Sequence, residues 1–315
     1  MKNSINAVIF LISFVFIGMA CAGSDDTNIQ LGGEIETPDC SNTESVFTIN
    51  LDPDECDVDI QSVVGIQSNY TETIEGKTRT ININGIASHK VGVFPNKGNP
   101  NTISSSNEKF SMTTEPKPAS EIRYGMGYTF GILFSGVAVD PYTGEFFQGS
   151  DGTNMEWNIT TLQSTTSLGL DCNNAHVQPT GRYHYHGTPS NYIAGLENID
   201  GSQMIKIGYA GDGYPIYYKY GYAEDGIRVI AMDSGYKLKT EERGGDGLSA
   251  PDGCPDGYYF KDYEYDNSLS VLDECNGRMG KTPESDNEYY YVITDNFPSA
   301  PLCFLGNPDD SFSFF

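Results

Sequence analysis

Positive charge is scarce in this 315-residue chain: 18 Lys and Arg stand against 43 Asp and Glu, a formal net charge of −25. Such a chain is repelled by phosphate backbones, so nucleic acid is not an expected partner. Polybasic attachment to an anionic membrane is excluded by the same sign. No apolar run reaches the ~20 residues that a membrane-spanning helix needs; Ala7 to Ala20 stops at 14. There is no C-x-x-C pair, which counts against a thiolate metal site. There is no G-x-S-x-G elbow, which counts against a Ser-His-Asp hydrolase. Helix signals are equally thin, with Met155 to about Gln163 as the one short candidate, and neither heptads nor a low-complexity repeat is present. No nucleotide cofactor is expected.

What is present starts with an export signal. Lys2 followed by the apolar run to Ala20 reads as a signal peptide over residues 1–20. Gly18-Met19-Ala20-Cys21 resembles a bacterial lipobox, which would make Cys21 a lipid anchor and the chain a cell-envelope lipoprotein. Ordinary cleavage and secretion is the alternative. Residues 21–60 read as an acidic tether, and residues 61–315 as one β-rich, mainly antiparallel domain with little helix. Gly 35 and Pro 16 favour short strands and turns. Thr78 to Asn84 alternates with period two, Tyr128 to Val139 reads as a buried central strand, and Ile216 to Tyr222 as an aromatic one. Six cysteines remain after Cys21, an even number that suits disulfides in an oxidising compartment. Cys40 and Cys56 are expected to pair locally, leaving Cys172, Cys254, Cys275 and Cys303 to staple the domain.

The four histidines are unevenly placed. His176, His184 and His186 fall within eleven residues, and His89 lies far upstream. On a strand, His184 and His186 share one face while Tyr183 and Tyr185 share the other. Two imidazoles on one face and a third from a neighbouring turn make a three-histidine site suited to zinc or copper. Two other readings stay open: histidines that only hydrogen-bond within the fold, and histidines used for metal-free acid–base chemistry.

The segments around these histidines resemble the bacterial YHYH-domain proteins, named for the Tyr183-His184-Tyr185-His186 tetrapeptide. The likeness runs over roughly residues 80–306. It takes in His89 with Val91-Gly92-Val93-Phe94-Pro95-Asn96, Asp140-Pro141 with Glu145, Leu170-Asp171-Cys172-Asn173-Asn174-Ala175-His176, Gly211-Asp212-Gly213, and Leu272-Asp273-Glu274-Cys275-Asn276. The resemblance implies a secreted or lipid-anchored domain and names no reaction. Family members often carry a second Tyr-His-Tyr near the C-terminus, where this chain has Tyr290 between two other tyrosines.

Asp140, Glu145, Asp171 and Asp212 fall in the same segments. Asp212, Glu145 and His89 are the candidate catalytic groups, each equally readable as a turn or packing residue. Arg182 and Arg278 could anchor an anion or form ion pairs. The expected function is therefore an exported metal-binding protein with His176, His184, His186 and His89 around zinc or copper. It would act as a hydrolase or oxidoreductase if it is an enzyme. The alternative is a non-catalytic extracellular module that binds a small molecule, a glycan or a protein, contacting membrane only through Cys21.

Overall fold

The computed structural model describes residues 38–165 and 168–314. The signal segment, Cys21 and the first part of the tether lie outside the described residues. Within them, no helix is long and apolar enough to cross a membrane.

The chain is mostly β. Strands β1 (Tyr70–Glu75), β2 (Thr78–Ile83) and β3 (Glu108–Thr113) form an antiparallel meander, followed by the short β4 (Arg123–Tyr124). Then come β5 (Gly131–Leu133), β6 (Ala138–Val139), the hairpin of β7 (Phe146–Gly149) with β8 (Gly152–Asn158), β9 (Ala175–Val177) and β10 (Tyr183–Tyr185). The second half supplies β11 (Ile205–Ala210), β12 (Pro215–Tyr218), β13 (Tyr220–Tyr222), β14 (Val229–Ala231), β15 (Tyr236–Leu238) and β16 (Tyr263–Tyr265). It closes with β17 (Gly277–Gly280), β18 (Glu288–Ile293) and β19 (Cys303–Phe304), the last pairing with β4. Helices are single turns, α1 (Ile60–Val64) and α2 (Ser190–Ala194) among them.

Eight strands make the central sheet, in the order β17-β18-β12-β11-β5-β6-β10-β9. The order reads the same from both ends: each half is an inner hairpin whose second strand runs parallel to the second strand of an outer hairpin. The registers repeat as well. Tyr185 lies beside Val139 and Tyr291 beside Ile216, so Tyr291 takes the place of Tyr185. His184 opposes His176 as Tyr290 opposes Arg278. Leu133 with Gly208 and Gly131 with Ala210 exchange places across the central β5·β11 pair. Even the corners match. Asn174 and Asn276 both have φ of +51°, a left-handed position that asparagine tolerates. Tyr183 donates to Asp171 at 2.7 Å as Tyr289 donates to Asp273 at 2.9 Å.

Tyr183, Tyr185, Tyr289 and Tyr291 all turn into the main core, packed with Ile207, Ile216 and Phe304. The opposite face differs between the halves. Tyr290 and Val292 pack there with Tyr217 and Met232, with Tyr222 and Ile230 of the β13–β14 hairpin against them. The corresponding face of β10 carries His184 and His186.

Several expectations are corrected. Cys40 pairs with Cys254 and Cys56 with Cys172, leaving Cys275 to pair with Cys303; no local Cys40–Cys56 bond forms. The reason is that residues 38–60 are stitched to the domain. Asn50 and Asn174 exchange two side chain–backbone hydrogen bonds of 2.8 Å, and Thr48 N–H donates to the Leu162 carbonyl. Met155 lies in β8, not in a helix: Asn158 ties that strand to the Thr143 and Glu145 carbonyls, and the following Ile159-Thr160-Thr161 is β-branched. The stretch Tyr128 to Val139 splits into β5 and β6 at Gly136, whose φ is +78°. Ile216 to Tyr222 likewise breaks at Lys219 (φ +25°).

Candidate metal centre

The site is built on the β9–β10 hairpin. A turn at Gln178-Pro179-Thr180-Gly181 closes with the Gly181 N–H on the Gln178 carbonyl, and Gly181 supplies the required positive φ of +88°. This short turn sets His176 directly opposite His184, with Tyr183 opposite Val177. Strand alternation then brings His186 to the same face as His184. The ring centroids form a near-equilateral triangle with sides of 4.8, 4.8 and 4.7 Å. One nitrogen from each ring lies within 4.8 Å of the others.

Hydrogen bonds fix which nitrogens are free. His176 Nδ1–H donates to the Leu168 carbonyl at 3.0 Å, and His184 Nδ1–H donates weakly to the Arg182 carbonyl at 3.4 Å. A carbonyl can only accept, so both rings present a bare Nε2. His186 Nε2 sits 3.1 Å from His176 Nε2 and must be the donor of that pair. His186 Nδ1 is consequently a buried nitrogen with no hydrogen-bond partner. The Pro141 and Asp140 backbones are the polar groups beside it.

Burial keeps these imidazoles neutral. His184 and His186 are 3 % and 2 % exposed, and desolvation holds both well below the ordinary imidazole range, with the other histidines of the group adding to it. His176 is lowered too, mainly by desolvation, against opposing pulls from the Leu168 carbonyl, Asp140 and Glu145. Behind the group, Asp140 accepts from Arg182 at 2.5 Å, and Arg182 also reaches Glu108 at 2.9 Å and Thr129. Desolvation raises the Asp140 carboxyl above its usual range, with Arg182 pulling the other way. One of its oxygens, Oδ1, is buried without a partner.

The histidines floor a cleft of about 850 Å³ whose walls include Met126, Tyr128, Phe146, Met155 and Phe314. These wall residues escaped the sequence reading because they come from separate segments with no shared motif. The structure brings Asp140 and Glu145 to the cleft, Glu145 exposed at its rim.

The other candidates lie elsewhere. His89 does not join the three: its Nδ1–H donates to the Lys90 carbonyl, and its Nε2 accepts from Tyr185 at 2.5 Å, on the core face of β10. Asp171 accepts from Tyr183 and from the Gly92 N–H, a corner of the fold away from the cleft face. Asp212 is buried at the β11–β12 turn, accepting from Tyr291 at 2.6 Å and from the Gly306 N–H at 2.9 Å. Arg182 is spent on its ion pairs, and Arg278 lies at the far edge of the sheet, reaching the Tyr222 carbonyl at 3.4 Å. Tyr290 lies beside it on β18, its hydroxyl against Met232 Sδ.

Fold and site together define a β-rich, disulfide-linked domain that carries three clustered histidines on one hairpin, His184 and His186 buried and His176 half-buried. The family described as YHYH protein matches residues 109–306, and the chain belongs to that family. No curated protein and no solved structure matches it.

Proposed function

We propose that this protein binds one transition-metal ion, zinc or copper, through His176, His184 and His186 at the floor of an organic-ligand cleft, outside the cytoplasm. The observation that carries the reading is the convergence of three neutral imidazoles, two of them with Nδ1–H already committed to carbonyls. Ligating histidines are commonly oriented in this way, with the second nitrogen donating outward. The bare Nδ1 of His186 fits as well. When Nε2 of His186 serves as a donor atom to an ion, its proton belongs on Nδ1, beside the Asp140 and Pro141 backbones. Donor atoms around zinc at ~2.0–2.1 Å stand roughly 3.3 Å apart, close to the 3.1 Å between His176 and His186.

Zinc would supply Lewis-acid chemistry and copper redox chemistry at this place. The chain's own contribution is to hold three imidazoles neutral, to keep them in register on a hairpin, and to shield them beneath apolar walls. Glu145 at the rim is the carboxylate placed to move a proton in the cleft. Three disulfides suit an oxidising compartment, and Cys21 would add a lipid anchor to the envelope.

Elemental analysis after equilibration with zinc or copper and removal of loose ions tests the reading. Close to one equivalent is expected in the native protein and little in His184→Ala. Less than a tenth of an equivalent in the native protein would overturn it.

A further inference from the structure

Three imidazoles do not complete the coordination of an ion. Zinc takes four donors, and where the protein supplies three the fourth comes from water or a ligand. Among the described residues, the group that could hold an ion consists of His176, His184 and His186 alone. The two carboxylates of the cleft do not join it. Asp140 is committed to Arg182, and Glu145 stands exposed at the rim. The remaining donor therefore has to enter from the cleft.

Charge says what kind of donor this is. Desolvation lowers the pKa of all three rings, so they stay neutral and offset none of the charge of a divalent ion. Asp140 has its counter-charge in Arg182. No Lys or Arg stands among the described lining residues, so an anionic group entering the cleft finds its counter-charge at the ion. The walls say what the donor is attached to. Met126, Met155 and Phe314 are 42 %, 68 % and 51 % exposed, and all three line this one cleft. Large apolar side chains left in water together mark a ligand or partner surface. The volume, about 850 Å³, lies within the range of small-molecule sites.

From these features we infer that the cleft takes an organic molecule with an aromatic or branched-alkyl body and one anionic oxygen head. The head supplies the remaining donor to the ion, and the body lies along Met126, Met155 and Phe314. The inference rests on the metal reading of the same site and adds the class of molecule that the site recognises. It also gives the exposed wall residues a role that a site for bare ions would not need.

The test uses the full chain loaded with cobalt(II), which takes imidazole donors as zinc does and reports a change of ligand through its visible absorption. Acetohydroxamate and 1-naphthohydroxamate carry the same anionic oxygen head on different bodies. Both should shift the cobalt bands saturably, and the naphthyl compound should bind about tenfold more tightly, because its body is buried. Met126→Ser and Met155→Ser, at exposed wall positions, should each weaken the naphthyl compound about fivefold at unchanged melting temperature. Neither should change the affinity for acetohydroxamate. Metal binding is read first and separately. Bands that form in the native chain and are lost in His184→Ala uphold it; a chain without bands overturns the metal reading and the ligand class together. Where the bands form, three results overturn the ligand class alone: bands that move with neither hydroxamate, equal affinity for the two, or wall substitutions that leave the naphthyl compound as tightly bound as in the native chain.

Discussion

Nε2 of His176 lies 3.1 Å from Nε2 of His186, ten residues further along the chain. Because the other nitrogen of His176 donates to Leu168, this contact makes His186 the donor and strips its Nδ1 of any partner. In the metal-bound form we propose, an ion takes the place of that shared proton.

Metal should therefore stabilise the fold. An ion that binds only the native state adds roughly 2.7 kcal/mol at a hundredfold excess over Kd. For a domain of this size that raises Tm by roughly 5 °C or more. Calorimetry with added zinc should show the rise in the native protein, and His184→Ala or His186→Ala should each remove most of it. The double variant should add little further loss, since two ligands already make a poor site. A full rise in both single variants would place the ligands elsewhere.

The pH dependence of that binding follows from burial. Metal needs neutral imidazole, and the three folded-state values lie below the ordinary range, His184 and His186 well below it. Protons thus begin to compete only below pH ~6.5, the unperturbed imidazole value. Titrations with zinc should give nearly the same affinity at pH 7.5 and 6.5 and a marked weakening at more acid pH. Loss of affinity already between 7.5 and 6.5 would mean that the imidazoles are solvated.

His89 gives the metal-free protein its own acid sensitivity. Burial lowers its value from 6.5 to about 4, so between these limits the unfolded chain takes up a proton that the folded chain refuses. Its contribution is full above pH ~6.5 and is lost as pH falls toward the folded value. Asp212, raised to about 6 mainly by desolvation, works with the opposite sign: its contribution is full below its ordinary 3.8 and is lost as pH rises through about 6. Urea unfolding of chelator-treated protein should show a midpoint that falls from pH 6.5 to 4.5 less steeply in His89→Gln than in the native chain. An unchanged slope would show that His89 is protonated or solvated in the fold.

The two halves of the sheet separate frame from function. Tyr183 with Asp171 and Tyr289 with Asp273 make the same hydrogen bond at equivalent corners, yet only the first lies on the histidine hairpin. Tyr183→Phe should destabilise by about 1–3 kcal/mol, the cost of leaving the buried Asp171 carboxylate short of a donor, and Tyr289→Phe by less, since Asp273 is half-buried. Neither should change the response to zinc. If Tyr183→Phe abolishes the metal response while Tyr289→Phe does not, the tyrosines of the motif belong to the chemistry.

The disulfides should be visible as cross-links between distant peptides. A non-reduced digest should join the Cys40 peptide to that of Cys254 and the Cys56 peptide to that of Cys172. Cys56→Ser with Cys172→Ser opens a link spanning 116 residues and should cost roughly 3–5 kcal/mol in unfolding titrations. A Cys40–Cys56 peptide would contradict the fold at its N-terminal edge.

The histidine cluster was the most legible part of the sequence, because period-two alternation puts His184 and His186 on one face; that His176 lies on the paired strand opposite His184, and not on a turn, came only from the fold. The β-rich class followed from turn-rich composition in the same way. The cysteine pairing did not, since sequence proximity of Cys40 and Cys56 carries no information about Asn50 and Asn174 clasping the extension to the domain. The cleft was invisible for a related reason: Met126, Phe146, Met155 and Phe314 meet only through the fold. The internal two-fold was hidden because its two copies share corners, such as Asn174 and Asn276, while their facing residues have diverged to histidines in one and to Arg278, Tyr290 and Val292 in the other. Tyr290, which the family resemblance sets at a frequent histidine position, sits at the place of His184 in the other half, in an apolar cluster of its own.

The central claim is that the three histidines converge on one ion. The most direct measurement is anomalous diffraction, on both sides of the zinc absorption edge, from crystals of the protein equilibrated with zinc. The account predicts a single strong peak at about 2.0–2.1 Å from Nε2 of His176, His184 and His186. A peak elsewhere, or His186 Nε2 still bonded to His176 in zinc-equilibrated crystals with no peak between them, would contradict it.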